Sequence, residues 1–176
     1  DDEPEGLASS SYGYWTLRNM IRNEELPLEE RDQAIAEIER LAENGDTNAQ
    51  YLMGKLWRDG PLLIPDAVKA RRWLEQAAVQ GHVTAQYALG KHLLSDDVEV
   101  HDVQEGLRWL ETAADNGSHY AAYRLGKEYL RGKIVGKDTA KAVDYLTQSA
   151  EGGNQYAQYI LGKLYLQGEE VGQEQK

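Results

Sequence analysis

The chain contains no cysteine, too few basic residues to balance its acidic ones, and no long apolar run. The first absence excludes a disulfide framework, a redox pair and a thiolate metal site. It fits a reducing compartment, so a cytoplasmic location is the expectation. The second leaves 19 Lys+Arg against 30 Asp+Glu and a net charge of -11. Non-specific nucleic-acid binding needs clustered cations, so nucleic acid is not the expected partner. The third excludes a spanning helix, which needs ~18 consecutive apolar residues, and no membrane partner is expected. Catalytic signatures are missing too. The four histidines, His82, His92, His101 and His119, contain no i,i+4 pair and no H-E-x-x-H, and read as surface residues. Each Leu-Gly-Lys is followed by Leu, His or Glu, so there is no phosphate-cradling G-x-x-x-x-G-K-[ST], and G-x-S-x-G does not occur. Adjacent carboxylates such as Glu29-Glu30 and Asp96-Asp97 point apart on a helix and fit caps and loops better. No catalytic residue, metal ligand or cofactor site is assigned, and the chain is not expected to be an enzyme.

What is present is a composition of 41% hydrophobic and 28% charged residues over 176 positions, ordinary for a folded chain and short enough for one compact domain. Charge is uneven: residues 1–46 hold 13 acids and four bases, whereas residues 47–176 hold 17 acids and 15 bases. The acidic N-terminal quarter reads as a solvated linker and cap, with an acidic docking segment as the alternative. The first ten residues carry neither an initiator Met nor the basic start and apolar core of a signal peptide. The expectation is a segment of a longer protein.

Self-similarity is the strongest signal. NAQYLMGKLW, TAQYALGKHL, YAAYRLGKEY and YAQYILGKLY align without gaps, placing Gly54, Gly90, Gly126 and Gly162 at intervals of 36. Ala49, Tyr51 and Lys55 recur at the same interval. A second set follows: Asp66, Asp102 and Asp138 open segments through Trp73-Leu74, Trp109-Leu110 and Tyr145-Leu146, which Gly81, Gly117 and Gly153 close. Asp is a strong N-cap, Gly closes helices in the left-handed conformation, and the apolar residues recur at helical spacing. The unit is helix A, loop, helix B, turn. A glycine inside helix A costs about 1 kcal/mol against alanine, so its recurrence implies packing with no room for a side chain. Residues 12–46 keep the register in degraded form, with Arg18 in place of the glycine, and read as a divergent capping repeat. The array proper covers residues 47–168, its last copy incomplete, between flexible segments at 1–11 and 169–176.

The pattern A-Q-Y-x-L-G-K-x-Y-x-x-G, followed by an Asp-led helix with A-x-x-W-L-x-x-A-A-x-x-G, resembles the Sel1-like repeat, a relative of the tetratricopeptide repeat. The match is carried by Ala157, Gln158, Tyr159, Leu161, Gly162, Tyr165 and Gly168, and by Trp73, Leu74, Ala77, Ala78 and Gly81. The resemblance implies an all-α fold, a right-handed α-α superhelix whose A helices line a concave face, and a role as an adaptor for protein complexes. The Lys after each Gly also resembles Sel1-like arrays attached to mobilisation relaxases of anaerobic gut bacteria. That implies an accessory module touching partner proteins or single-stranded DNA.

On helix A, positions spaced i, i+3, i+7 and i+10 form one stripe. It reads Thr84, Tyr87, Lys91 and Leu94, then Tyr120, Tyr123, Lys127 and Leu130, then Tyr156, Tyr159, Lys163 and Leu166; Asn48, Tyr51, Lys55 and Arg58 precede it. The candidate partner-binding residues are Tyr87, Lys91, Tyr120, Tyr123, Lys127, Tyr156, Tyr159 and Lys163. Tyrosine brings apolar area with a polar tip, and lysine suits a partner protein or peptide of acidic or carboxylate character. The alternative is scaffold: half-buried tyrosines with each Lys lying over a Tyr ring as an internal cation–π pair. Positions that differ between copies, namely 48, 84, 120 and 156 with 58, 94, 130 and 166, are the better candidates for specificity. Self-association through an exposed repeat end is a further expectation.

Overall fold

The computed structural model describes residues 12–174; the expected N-terminal segment 1–11 lies outside them. Among the described residues there are nine helices and no strand: α1 Tyr14–Arg22, α2 Leu28–Glu43, α3 Thr47–Asp59, α4 Ala67–Val79, α5 Val83–Leu93, α6 Val103–Asp115, α7 His119–Arg131, α8 Thr139–Glu151 and α9 Gln155–Glu174. The single compact domain expected from length is instead two compact units, divided between His82 and Val83. A repeat contacts only its neighbours, so no common centre ties distant copies together.

The caps behave as their residue types dictate. The carboxylates of Asp46, Asp66, Asp102 and Asp138 each accept a hydrogen bond from the backbone N–H three residues on, opening α3, α4, α6 and α8. Ser118 does the same for α7 and Asn154 for α9. The three B-helix aspartates act a second way. Their own N–H groups donate to the carbonyls of Trp57, Leu93 and Tyr129, at 2.8, 2.9 and 3.0 Å. One residue therefore starts helix B and pins the end of helix A. Gly81, Gly117 and Gly153 follow the B helices with φ of 93–94°, a backbone state that side-chain-bearing residues rarely adopt.

In the first unit α1 and α2 form the divergent pair. Leu17 and Ile21 meet Ala34, Ile35, Ile38 and Ala42 in a core continued by Ala49, Leu52, Met53 and Leu56. Arg31 donates from Nε and Nη2 to the Ile21 carbonyl at 2.9 and 2.7 Å. This guanidinium closes α1 where the chain has only a short link to α2. In the second unit the buried centre is Leu110, Ala113, Ala114, Ala121, Ala122, Leu125 and Ala142, and then Leu146, Ala157 and Leu161.

The recurring glycines sit where helix A crosses helix B. A Cβ built on Gly54 would lie 2.6 Å from Leu74, on Gly90 2.8 Å from Leu110 and 3.0 Å from the Gly106 carbonyl, and on Gly126 2.7 Å from Leu146. At Gly162 nothing lies within 4 Å. The helix that carries it does not stop at Gly168, where the last A helix was expected to end; α9 runs to Glu174. Glu and Gln are good helix formers, and no Asp-led second helix turns the chain back there.

The glutamine of the A-Q-Y motif has a role that spacing did not reveal. Gln50 and Gln158 donate from Nε2 to the carbonyls of Ala42 and Ala150, at 3.1 and 3.2 Å, near the end of the preceding B helix. Position 122 has Ala instead. The Ala114 carbonyl, eight residues before it, takes a 2.7 Å hydrogen bond from Gln148 Nε2 on α8. A second pairing changes in step: Gln50 Oε1 accepts from Gln80 and Gln86 Oε1 from Asn116, at 2.9 and 3.0 Å. The third member of that series is Gly152, whose absent side chain leaves room for His119. Replacing Gln148 by Ala leaves the Ala114 carbonyl without this donor and costs about 1–2 kcal/mol. Adding Ala122→Gln restores most of the loss in urea unfolding.

Candidate functional site: the tyrosine-lysine face of the second unit

All eight sequence-predicted residues fall in the second unit, on α5, α7 and α9. The order within each helix is the same. Lys91 Nζ lies 4.6 Å from the Tyr87 ring centre, Lys127 Nζ 4.5 Å from Tyr123 and Lys163 Nζ 5.1 Å from Tyr159. Each is an i,i+4 pair, the spacing that stacks one helical side chain above another. Rings also meet between helices: Tyr87 and Tyr120 are 5.9 Å apart and Tyr123 and Tyr156 6.0 Å apart, both tilted by about 30°. Each helix thus presents a Lys over a Tyr, and on α5 and α7 that Tyr touches the first aromatic of the next A helix.

The tyrosines divide into two kinds. Tyr87 and Tyr123 pack against the apolar clusters and are half-buried. Tyr120, Tyr156 and Tyr159 remain 57%, 71% and 66% exposed. The first pair follows the scaffold alternative; the second group offers free ring surface. The lysines are cation–π partners of this protein's own rings, and burial against them lowers the Lys127 ammonium below the usual lysine range, with Arg124 and Arg131 adding to the effect. Among the variable positions, Thr84, Tyr120 and Tyr156 are exposed. Leu94 and Leu130 instead pack against the core, so they are parts of the scaffold.

The same arrangement occurs within the first unit, where Lys55 lies 5.8 Å from the Tyr51 ring. There the aromatic neighbour is His82, stacked on Tyr51 at 5.0 Å with Nε2 3.0 Å from Asn48 Oδ1. Burial lowers the His82 pKa below the ordinary histidine value. The neutral ring is therefore the form the fold favours. Its contribution to stability is present above the unfolded pKa of about 6.5 and is lost as pH falls through the lower folded value. The unfolding midpoint of the first unit accordingly drops on acidification from pH 7 in wild type, and that part of the slope disappears in His82→Gln.

The histidine furthest from the surface reading is His92. It is only 7% exposed, because its place on α5 corresponds to Leu56 on α3 and to Glu128 on α7, both buried. No group of three or more His, Asp or Glu among the described residues is placed to hold a metal ion. No helix among them is long and apolar enough to cross a membrane.

Helix pairs that recur every 36 residues, an Asp that both caps and pins, and glycines where α3 meets α4, α5 meets α6 and α7 meets α8 define an α-helical repeat protein. The chain belongs to the Sel1 repeat family, whose profile matches residues 47–82, 83–118, 119–154 and 155–176. Members of this family generally act as scaffolds for protein interactions. A Sel1 repeat protein from Oxalobacter formigenes is similar, with 32% identity, a TM-score of 0.73 and coverage of 88% of this chain and 45% of that one. The protein c5321, described as a protective antigen present in uropathogenic Escherichia coli strains with an SLR fold, shares 29% identity at a TM-score of 0.71. It is matched over 76% of this chain and 29% of its own length. The chain thus spans less than half of either relative. No curated protein matches it.

Proposed function

We propose that the second unit is a non-catalytic adaptor that binds an extended segment of a partner protein along the A-helix face of α5, α7 and α9. The observation that supports this most directly is the exposure of Tyr120, Tyr156 and Tyr159 on one face; Tyr120 and Tyr156 stand where the earlier copies have Asn48 and Thr84, so packing of the repeat does not demand an aromatic at those two positions. Tyr87 backs the ring of Tyr120 and Tyr123 that of Tyr156. Lys91, Lys127 and Lys163 keep their outer sides toward solvent and meet acidic or carboxylate groups of the partner. A helical scaffold whose rings are already held by neighbours loses little entropy on docking. The location that suits such an adaptor is the cytoplasm.

The test is capture of a partner from the source cell's lysate by the full chain and by Tyr120→Ser/Tyr156→Ser/Tyr159→Ser, with helicity measured on both. A protein held only by the wild type supports the reading. Equal capture by both moves the interface elsewhere. Capture of single-stranded DNA alone, lost in Lys91→Glu/Lys127→Glu/Lys163→Glu, replaces the adaptor with an accessory module of a DNA-transfer protein. Self-association is a second element of the proposal, favoured by the open space at Gly162 and the exposure of Tyr165 and Leu166. Sedimentation velocity of wild type against Leu166→Glu measures it.

A further inference from the structure

Repetition explains residues that recur; a departure from the repeat needs its own cause. The sharpest departure lies on α7, one residue beyond the Tyr-Lys stripe and so rotated from it by about 100°. There Arg124 and Glu128 stand where the first copy has Leu52 and Leu56, the second Ala88 and His92, and the last Ile160 and Leu164. Glu128 is 2% exposed. Its Oε1 accepts from Arg124 Nε at 2.9 Å and lies 3.6 Å from Arg131 Nη1. Burying an ion triad is commonly less stabilising than an apolar group of similar size, and the other copies show that this site accepts apolar residues. Something other than stability is served by the charge.

The triad lines a recess of about 330 Å³ in the second unit. Lys133 joins it from the loop after α7, and Leu94 and Ile134 form apolar walls. Asp96 stands on the exposed rim. The three cations outnumber the two carboxylates. Glu128 holds Arg124 through Nε, which leaves the two Nη groups of that guanidinium as donors, and Arg131 is half-exposed with its side chain accessible. Planar guanidinium donors match a carboxylate in a two-point geometry. The apolar walls suit the methylene groups behind one.

We propose that this recess binds a glutamate side chain of a partner, its carboxylate held by Arg124, Arg131 and Lys133 and its methylenes by Leu94 and Ile134. Glu128 is a positioning residue that orients the two guanidinium groups. The recess borders the tyrosine-lysine face: Leu94 belongs to both, and Arg124 and Arg131 are near enough to Lys127 to help lower its pKa.

The experiment follows the Arg124 and Arg131 Nε–H signals of the isotope-labelled full chain by NMR during titration with N-acetyl-glutamate amide. A saturable shift in the millimolar range is expected, and none with N-acetyl-glutamine amide. Arg131→Gln and Lys133→Gln, both at exposed positions whose replacement leaves the fold intact, weaken binding about fivefold or more. Asp96→Asn, which removes a like charge from the rim, tightens it about twofold. Absence of a saturable shift, an equal response to the glutamine compound, or affinity unchanged in both cation variants overturns the assignment. Inorganic phosphate binding more tightly than the glutamate compound overturns it as well, reassigning the recess to phosphoryl groups.

Discussion

Replacing Gly90 by alanine is expected to destabilise the second unit by about 2 kcal/mol, whereas the same replacement at Gly162 stabilises it by about 0.5–1 kcal/mol. The two glycines hold the same place in the repeat, so intrinsic helix propensity favours alanine equally at both. Their surroundings differ. The new Cβ at Gly90 would meet Leu110 at 2.8 Å and the Gly106 backbone oxygen at 3.0 Å. Leu110 is fully buried and has no space to withdraw into. Gly106 cannot yield either, since α6 already approaches α5 so closely that a Cβ there would lie 3.0 Å from Leu94. Separating the helices would disturb the Asp102 pin on the Leu93 carbonyl. At Gly162 the added methyl meets nothing, and only the propensity gain remains. Urea midpoints of the two variants therefore move in opposite directions from wild type. Shifts of the same sign would refute the crossing-point account of this glycine.

The second large effect concerns the buried carboxylate. Arg124→Leu is expected to cost about 3 kcal/mol, because it removes the 2.9 Å partner of Glu128 and leaves the buried charge with only the more distant Arg131. Adding Glu128→Leu recovers the loss fully, since Leu52 and Leu56 occupy the corresponding positions of the first copy. A double-mutant cycle by chemical denaturation measures the coupling. If Arg124→Leu alone proves neutral, Glu128 is hydrated in solution and the triad is not a buried unit. The double variant also separates stability from binding: it folds at least as well as wild type yet loses the response to N-acetyl-glutamate amide.

The elements that periodicity could reach were those in which one residue type meets one local demand. An aspartate before a helix, a glycine after it and a leucine beside a glycine notch each carry their reason in the sequence, and α3, Thr47–Asp59, falls where the motif placed it. What escaped were relations between residues of different copies. Ala122 stands where the other copies have Gln, and nothing in the spacing points to Gln148 as the residue that serves the Ala114 carbonyl instead. His92 looked like a surface residue because polarity was read one residue at a time, whereas burial at that position, shared with Leu56 and Glu128, is set by the repeat. The Lys-Tyr pairs were visible as a spacing but not as a choice, since an exposed Lys and one lying on its own ring have the same sequence. Within the candidate site, spacing set the residues along one stripe, and only geometry separated the half-buried Tyr87 and Tyr123 from the exposed Tyr120, Tyr156 and Tyr159.

Ala122 cannot serve the Ala114 carbonyl, and Gln148 meets it instead; both residues lie inside 119–154, which is one repeat. That copy therefore brings its own solution with it when moved as a block. Duplicated after residue 154, it would present the same donor to the B helix before it, and Gln158 would serve the duplicate as it now serves Ala150. Length is thus a quantity this architecture can change without repair elsewhere. Recombination that cuts at the 36-residue boundary moves Ala122 and Gln148 together, whereas a cut between them parts the residue that lacks the donor from the one that replaces it.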